Sequence, residues 1–593
     1  MGPGPAVAWL PVPFDTTPSH TRPSDTLGRQ AGRRAVSRRP GQRRGAALLV
    51  VGALGLATGC TANETTSSRS PSPSRTPPSG FGAALKSENA KPGASDWQIR
   101  RVGAPNEIEG WADRDSVASG DSVGLHVSTT ASQYRVTAYR MGWYGGAQAR
   151  AVWTSPPQPG AMAPAKTTVA ATNTDTAPWP TSMSVSTRNW LPGDYLLRLD
   201  ADAGAQRYVP LTVRTSSTRD AIVILNATTT WQAYNDWGGH SLYHGPGGDA
   251  DAAHRATVVS FDRPYPVGGA EEFTGNELPL VSLAERLDLP LAFATDVDLH
   301  ADPQLLDGAR AVISLGHDEY YSTPMRDALT AARDRGTNIA FLGANAVFRH
   351  IRLDATPVGP NRLEINYRST VDPVTKENPR EATVNWREPP NSRPESDLTG
   401  VLYECNPVKA DMVVTNPGHW LFAGLGLRDG FPLPGLVGSE YDRVNPAAPV
   451  PRPIEVLAHS PVSCRHTPTF ADMAYYTAPS GAAVFATGTS AWVCALAGSC
   501  QEQRGSPEAT RVVAGVTTNL LHAFATGPTG REHPAKDNLD VVHEYAGDPI
   551  EDKQRAGRGA AADRSAEDVE IHPIDALDLE GHVVGEHIGD GAR

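Results

Sequence analysis

The sequence AVISLG, residues 311–316, is a continuous apolar run that leads directly into HDEYY, residues 317–321. Three further runs share this character: AIVILN (221–226), LAFAT (291–295) and NIAFLG (338–343). Such runs are typical of parallel strands that helices cover on both faces. Helix-like patterns over 277–289 and 323–336 separate the runs and give β–α–β order. The sequence therefore predicts a doubly wound α/β domain over residues 217–530.

The preceding region has a different periodicity. Short segments of alternating apolar and polar residues follow one another between turn signals such as Gly120-Asp121. This pattern is typical of a β-sandwich of the immunoglobulin type, which we place at residues 96–216. The segments are VGLHVST (123–129), YRVTAYRM (134–141), TSMSVST (181–187), YLLRLDA (195–201) and YVPLTVR (208–214).

Both ends of the chain differ from these regions in composition. Eight arginines in the first 45 residues precede a short apolar stretch that ends at Cys60. This order predicts a signal peptide over residues 1–60 with a lipobox-like end, so that Cys60 carries lipid and anchors the chain at the outer face of the cell membrane. A plain signal peptide and a secreted chain are the alternative. The Ser/Pro-rich residues 61–95 predict an unfolded linker, and residues 531–593 an acidic disordered tail.

Composition excludes some classes of function. The formal net charge of −12 argues against sequence-independent nucleic-acid binding, because that binding needs a basic surface. No apolar run reaches the roughly 18 residues that a membrane span needs. Besides Cys60 there are four cysteines, and an even number in an exported chain favours disulfides. Three pairings are open, of which we favour Cys405–Cys464 with Cys494–Cys500.

Polar residues follow the apolar runs, at the strand ends where open parallel sheets bind ligands. His317 and Glu319 follow the run at 311–316, and Asn345 follows the next one. In an extended segment, positions i and i+2 share a face. His317 and Glu319 are therefore expected to point into one cleft, with Asp318 pointing away.

Several common catalytic motifs are missing. The order of strands and helices is similar to that of class I glutamine amidotransferases, but Ala344 and Asn345 occupy the turn where those enzymes need a cysteine. The sequence has no Gly-x-Ser-x-Gly elbow, no P-loop and no His-Glu-x-x-His motif. The remaining tyrosine, histidine and carboxylate groups suit a hard metal ion or acid–base chemistry with bound water.

Five segments together resemble one family, the large (β) subunit of N,N-dimethylformamidase and its secreted relatives. They are YRVTAYRMGWYGG (134–146), TTTWQAYNDWGGHSLY (228–243), SLGHDEYYS (314–322), IAFLGANAVFRHIRL (339–353) and GAAVFATGTSAWV (481–493). The resemblance covers about residues 100–525. It implies hydrolysis of an amide C–N bond at a mononuclear iron, held by two tyrosines and one glutamate with a histidine close by.

The motifs of the family carry these roles to particular residues. The glutamate is Glu319, and His317 is the candidate proton shuttle. One tyrosine ligand is Tyr234 in WQAYN, and the other is Tyr195 in PGDYLLRL. Nearby alternatives for the tyrosines are Tyr243, Tyr320 and Tyr321.

Three residues are candidate substrate contacts: Asn345, Trp231 and Asp318. Each candidate also has a structural interpretation. Asn345 suits a helix N-cap, and Trp231 suits a buried aromatic position. Residues 317–319 suit the acidic start of a helix, and Tyr195 suits the core of the sandwich.

Two functions remain open on sequence grounds. The first is a metal-dependent hydrolase at the cell surface, acting on a small-molecule amide or a cell-envelope component. The second is a non-catalytic extracellular protein that binds a cell-envelope glycan or peptide. The family enzyme works with a small subunit that this chain does not encode, and assembly into a homo-oligomer stays open.

Overall fold

The computed structural model describes residues 81–500, 503–504 and 506–546. The predicted signal peptide, Cys60 and residues 61–80 of the predicted linker lie outside the described residues. The N-terminal region contains a helix followed by a series of short and medium strands. These are α1 (Phe81–Asn89), β1 (Ile108–Ala112), β2 (Ser116–Ala118), β3 (Ser122–Thr129), β4 (Gln133–Met141), β5 (Ala149–Thr154), β6 (Gln158–Pro159), β7 (Thr167–Val169), β8 (Thr174–Thr176), β9 (Met183–Ser186), β10 (Gly193–Ala201) and β11 (Gln206–Arg214).

Two sheets of this region share one apolar core. The smaller sheet has the strand order β1-β3-β9, and the larger has the order β2-β11-β10-β4-β5, with β6 on β4. Leu125 from the smaller sheet and Leu197 from the larger one lie in the same buried cluster. All five predicted strand segments are confirmed as β3, β4, β9, β10 and β11. The immunoglobulin topology itself stays a prediction.

The second region alternates strands and helices. Its strands are β12 (Ile222–Asn226), β13 (Val258–Ser260), β14 (Leu291–Thr295), β15 (Ala311–His317), β16 (Tyr320–Ser322), β17 (Asn338–Ala344), β18 (Arg349–Asp354), β19 (Leu363–Ile365), β20 (Leu402–Cys405), β21 (Ala410–Val414), β22 (Phe431–Val437), β23 (Tyr441–Arg443), β24 (Ile454–Cys464), β25 (Thr467–Thr477), β26 (Ala483–Ala486), β27 (Ser499–Cys500) and β28 (Gln503–Arg504). Its helices are α2 (Thr228–Tyr234), α3 (Glu271–Asn276), α4 (Leu278–Arg286), α5 (Asp296–Ala301), α6 (Thr323–Asp334), α7 (Ser396–Thr399), α8 (Ala491–Ala495), α9 (Pro507–Phe524) and α10 (Leu539–Ala546).

A nine-stranded sheet with the order β14-β12-β15-β17-β26-β25-β24-β21-β22 organises this region. The first five strands are parallel, and the four apolar runs of the sequence are four of them. Ile224 and Val223, neighbours on β12, belong to buried clusters on opposite faces of the sheet. The predicted two-sided burial of parallel strands is therefore confirmed.

The other four strands extend the sheet in antiparallel fashion, which the sequence interpretation missed. Only Arg465 and His466 connect β24 to β25, and both have positive φ. A connection of two residues allows antiparallel pairing alone, because a parallel crossover needs a dozen or more residues.

Three boundaries expected from the sequence are wrong. Residues 81–95, assigned to the linker, include α1, whose Leu85 is fully buried in the main core. Residues 531–546, assigned to the tail, include α10, whose Leu539 is buried under the sheet. The apolar segment 481–493, which the sequence predicts to be a single strand, is β26 followed by the start of α8. In the first two cases a few apolar contacts outweigh a polar local composition, as tertiary packing commonly does.

A buried ion pair joins the N-terminal region to the α/β region. The Arg140 guanidinium on β4 donates to both carboxylate oxygens of Glu285 on α4, at 2.6 and 3.1 Å, and both side chains are fully buried. Arg140 also donates to the hydroxyl of Tyr144 at 3.1 Å and to the carbonyl of Pro192 at 3.0 Å. A Cβ at Gly142 would lie 1.9 Å from the Glu285 carboxylate, so any larger residue here would displace one partner of the ion pair. The segment GWYGG at 142–146 is thus a structural turn at the junction.

The preferred disulfide Cys405–Cys464 is confirmed, and it links β20 to the end of β24. Cys494 is also disulfide-bonded, whereas the side chain of Cys500, its predicted partner, lies outside the described residues. Within the described part of the chain, none of the helices has the length and hydrophobicity that crossing a bilayer requires.

Candidate active site

The carboxylate of Glu319, just beyond the end of β15, is the centre of a buried polar cluster. Its Oε2 accepts hydrogen bonds from the hydroxyls of Tyr234 at 3.1 Å and Tyr243 at 2.9 Å, and its Oε1 accepts one from Nε of Arg349 at 3.2 Å. Burial alone would raise the pKa of Glu319, but its contact with His317 and the charge of Arg349 lower this pKa to about 2. Glu319 is therefore an anion at any physiological pH.

His317 lies between two carboxylates. Its Nε2 is 3.6 Å from Oε2 of Glu319 and 3.5 Å from Oε2 of Glu440. Neither Nε2 of His317 nor Oε2 of Glu440 has a hydrogen-bond partner among the described residues. Burial lowers the pKa of His317, but the two carboxylates raise it to about 9. Burial also raises the pKa of Glu440, and the charge of His317 limits the rise to about 7.

Contacts with each other, with Tyr320 and with Arg368 hold the two tyrosines in place. The rings of Tyr234 and Tyr243 stack with centroids 4.3 Å apart. The Tyr320 hydroxyl donates to the Tyr243 hydroxyl at 2.6 Å, and Arg368 donates to the Tyr320 hydroxyl at 3.0 Å. The Arg368 guanidinium also lies 4.1 Å above the centroid of the Tyr243 ring. Burial and the negative charge of Glu319 hold the pKa of Tyr234 and of Tyr243 well above the usual value for a phenol.

Two threonines of α2 fix the segment that carries Glu319. The Thr230 hydroxyl accepts a hydrogen bond from the backbone N–H of Glu319 at 2.9 Å. The Thr229 hydroxyl lies 2.8 Å from both the Tyr320 carbonyl and the Asp296 carboxylate. Because α2 also carries Tyr234, this helix positions a tyrosine and the Glu319 backbone together.

The alternation expected at 317–319 is confirmed. His317 and Glu319 face each other, whereas the Asp318 carboxylate points away and accepts hydrogen bonds from Ser314 at 2.8 Å and Tyr321 at 2.5 Å. Burial raises the pKa of Asp318 to about 6, against the opposing effect of these hydrogen bonds. The structure thus gives Asp318 an internal supporting position and does not bring it to the His317 cleft.

Asn345 lies at the cluster. Its side-chain amide donates to Oε1 of Glu440 at 3.3 Å, and its backbone N–H donates to Asp442 at 2.7 Å. Asn345 has φ 61°, in the left-handed region that asparagine tolerates better than most residues. The N-cap interpretation does not apply, because β18 and not a helix follows.

Two expected site residues lie elsewhere. The Tyr195 hydroxyl donates to the Leu191 carbonyl at 2.6 Å, and its ring stacks on Trp190 in the core of the sandwich. The Trp231 indole donates to Glu277 at 2.9 Å. The tyrosine that reaches Glu319 together with Tyr234 is Tyr243, one of the stated alternatives. Motif position alone predicts Tyr195 as a ligand, whereas its alternation with buried leucines indicates the core position that it has.

The sequence interpretation missed Glu440, Arg349 and Arg368. Glu440 stands between β22 and β23, in a segment with no recognisable motif and more than a hundred residues from His317. Hydrogen bonds between this segment and residues 488–490, which follow β26, hold it at the site. Arg349 lies in the segment IAFLGANAVFRHIRL (339–353), and the signal that points to it is that a buried Glu319 carboxylate needs a cationic partner.

Residues 135–505 match the family model described as N,N-dimethylformamidase beta subunit-like, C-terminal. The chain belongs to this family. The match includes every residue of the Glu319 cluster, from Tyr234 to Glu440. No curated protein matches the chain.

The iron that the resemblance to N,N-dimethylformamidase implies can be compared with the donor set of the cluster. Among the described residues, no three histidine, cysteine, aspartate or glutamate side chains are grouped as a metal site. The cluster instead offers two phenols and a carboxylate that converge on one point, with Oε2 of Glu440 unpartnered beside them. Hard oxygen donors of this kind are those that ferric iron prefers. The residues therefore fit the ion.

Proposed function

We propose that this chain is a hydrolase of amide C–N bonds in small molecules, with the Glu319 cluster as its active site. The observation that carries the proposal is the position of His317, within 3.6 Å of two buried carboxylates of very different pKa. Titratable groups whose environments separate their pKa values are typical of acid–base catalysis. Membership of the N,N-dimethylformamidase beta subunit-like family supports the same reaction class.

Tyr234, Tyr243 and Glu319 would hold the iron. Tyr243 replaces Tyr195 in this proposal, because its hydroxyl and that of Tyr234 both contact the same oxygen of Glu319. When bound, the ion supplies Lewis-acid polarisation of an amide carbonyl. Arg349 and Arg368 offset part of the buried negative charge of these ligands, which keeps the phenols and the carboxylate together.

Two side chains handle the protons. Hydrolysis adds water across the amide C–N bond, so one proton leaves the attacking water and one reaches the departing amine nitrogen. Oε2 of Glu440 takes the proton from water, since this carboxyl has a pKa of about 7 and its Oε2 makes no hydrogen bond with any described residue. Nε2 of His317 delivers the proton to the amine, because the imidazole is protonated at neutral pH. Asn345 orients Glu440 through its Oε1.

The experiment is metal analysis of the full mature chain, produced by secretion, with four matched variants. We expect about one iron per chain in the wild type and in Tyr195→Phe, and loss of iron in Tyr243→Phe and Glu319→Gln. His317→Gln is expected to keep iron and lose hydrolysis of a panel of small formamides and acetamides. Iron bound equally by all variants would refute the ligand assignment. Metal-free, folded wild type would instead favour the extracellular binding protein.

We also propose that the chain acts outside the cytoplasm. The Cys405–Cys464 disulfide supports this location, because such bonds persist in oxidising compartments. A signal peptide over residues 1–60 with lipid on Cys60 would anchor the chain to the membrane. Labelling of cells with a fatty-acid analogue, with Cys60→Ala as control, tests the anchor; equal labelling of both chains would refute it.

A further inference from the structure

Glu440, the proposed proton acceptor, has a second amide partner. Its Oε1 accepts hydrogen bonds from the side-chain amides of Asn345 at 3.3 Å and Asn406 at 3.4 Å. Asn406 is 7% exposed and Glu440 4%, so this contact is shielded from water. One oxygen of the carboxylate is thus held by two amides, while Oε2, 3.5 Å from Nε2 of His317, has no hydrogen-bond partner among the described residues.

The backbone around Asn406 runs along the segment that carries the proposed proton acceptor. Cys405 lies opposite Tyr441 in the antiparallel pair of β20 and β23. The N–H of Val408 donates to the carbonyl of Ser439 at 2.8 Å. These two contacts flank Asn406 on one side and the acceptor on the other. Asn406 therefore keeps its place only while β20 and the residues after it stay beside this segment.

The Cys405–Cys464 disulfide fastens β20 to the main sheet. β20 and β23 form a separate two-stranded sheet, whereas Cys464 ends β24 of the nine-stranded sheet. The Thr469 hydroxyl on β25 also donates to Glu404 at 3.0 Å, but a hydrogen bond opens and closes, whereas the disulfide holds the two Cα atoms 6.1 Å apart. Asn406 follows Cys405 directly, so the bond lies one residue from the amide that contacts the proton acceptor.

We propose that Asn406 is a positioning residue for Glu440 and that the Cys405–Cys464 disulfide is its anchor, which makes hydrolysis sensitive to reduction. This inference rests on the proposed function, in which Glu440 takes a proton from water. A dithiol reductant supplies two electrons and two protons, so the disulfide becomes two thiols and the dithiol becomes its own disulfide. β20 is then released from β24, and Asn406 no longer orients the carboxylate. The residues proposed to hold iron lie in segments after β12 and β15, so the ion stays bound.

The first test compares the full mature chain, loaded with iron, with Asn406→Ala. We expect kcat on the best amide substrate to fall by about tenfold or more, with KM and iron content little changed, because the base is no longer oriented. The acidic limb of the pH–rate profile should move to higher pH, since loss of an amide donor raises the pKa of the Glu440 carboxyl. Asn416→Ala is the matched control, because this amide donates to Glu455 at 2.8 Å, a carboxylate outside the Glu319 cluster, and its kinetics should equal those of the wild type. Unchanged kcat, or a change confined to KM, would overturn the proposal.

The second test is reduction of the wild type with dithiothreitol, which requires no variant to fold. Hydrolysis should fall as Cys405 and Cys464 become thiols, with iron still bound, and should return on reoxidation. The double variant Cys405→Ser with Cys464→Ser should start at the low rate and ignore the reductant, which separates this bond from effects on iron or on the disulfide of Cys494. A reduced wild type that keeps its full rate would overturn the proposal.

A measurement without turnover separates this inference from the proposed function. The pKa of Glu440 is read from the ¹³C carboxyl signal of labelled glutamate, assigned with Glu440→Gln, and should rise in Asn406→Ala and after reduction. A wild type that hydrolyses no amide refutes the proposed function, and this shift then decides the positioning role alone. An identical pKa of Glu440 in the wild type, in Asn406→Ala and in the reduced chain would refute the positioning role even in an active enzyme.

Discussion

Replacing Arg140 by methionine should destabilise the whole described fold. The change leaves the Glu285 carboxylate fully buried without its two guanidinium hydrogen bonds at 2.6 and 3.1 Å. Removing one partner of a buried pair costs about 3–5 kcal/mol, mainly because the remaining charge is unpaired. The Tyr144 hydroxyl and the Pro192 carbonyl lose a donor as well. We therefore expect a loss at the upper end of that range in the free energy of unfolding.

The assay is urea unfolding followed by tryptophan fluorescence, on the wild type, Arg140→Met, Glu285→Leu and the double variant. The double variant should regain most of the loss, since an apolar pair of similar volume replaces the ion pair at little cost. Lys86→Met is the matched control: its pair with Asp288, 71% and 43% exposed, should contribute at most about 1 kcal/mol. A loss below about 1 kcal/mol in Arg140→Met, or no recovery in the double variant, would refute the reasoning.

Three further predictions concern stability. Replacing Cys405 and Cys464 by serine should lower the free energy of unfolding by about 4 kcal/mol, because the bond closes a loop of 59 residues; unchanged urea midpoints would contradict this. Leu539→Ala should cost about 2–4 kcal/mol, whereas Val541→Ala on the same helix, 59% exposed, should cost little; equal melting temperatures would mean that α10 is not part of the core. Burial raises the pKa of Asp194 from 3.8 to about 7, so the folded state binds an extra proton, and the stability that this proton adds is lost as pH rises through 7. Urea unfolding of the wild type relative to Asp194→Asn, measured from pH 4 to 8, should show this decline, and a flat difference would exclude it.

The parallel half of the sheet could be predicted from sequence, because strands that are buried on both faces are continuous apolar runs. The runs at 221–226 and 311–316 each contain a single polar residue, Asn226 and Ser314 respectively. The antiparallel half lacked such a signal. Its strands β24 and β25 are interrupted by polar residues such as His459 and Asp472, which are paired with each other across the two strands.

Only the part of the site that depends on local backbone geometry could be predicted from the sequence. His317 and Glu319 share a face because their segment stays extended, a property of two adjacent backbone units. Tyr243 and Glu440 reach the site through contacts between segments distant in sequence, and no periodicity encodes such contacts. For Tyr195 the local pattern was the better evidence. Its position in a motif suggested a metal ligand, whereas the buried strand around it indicated a core residue.

Glu319 and Glu440 come from two separate connections, β15 to β16 and β22 to β23, and this has a consequence for divergence within the family. The segments that follow β12 and β15 carry the two tyrosines and the buried anion, whereas the connection between β22 and β23 carries the proposed proton acceptor. Changes in that connection would alter the reactive face while the buried anion and its tyrosines keep their places. New substrates would then be acquired through this connection, and relatives should differ most in length and sequence between β20 and β25.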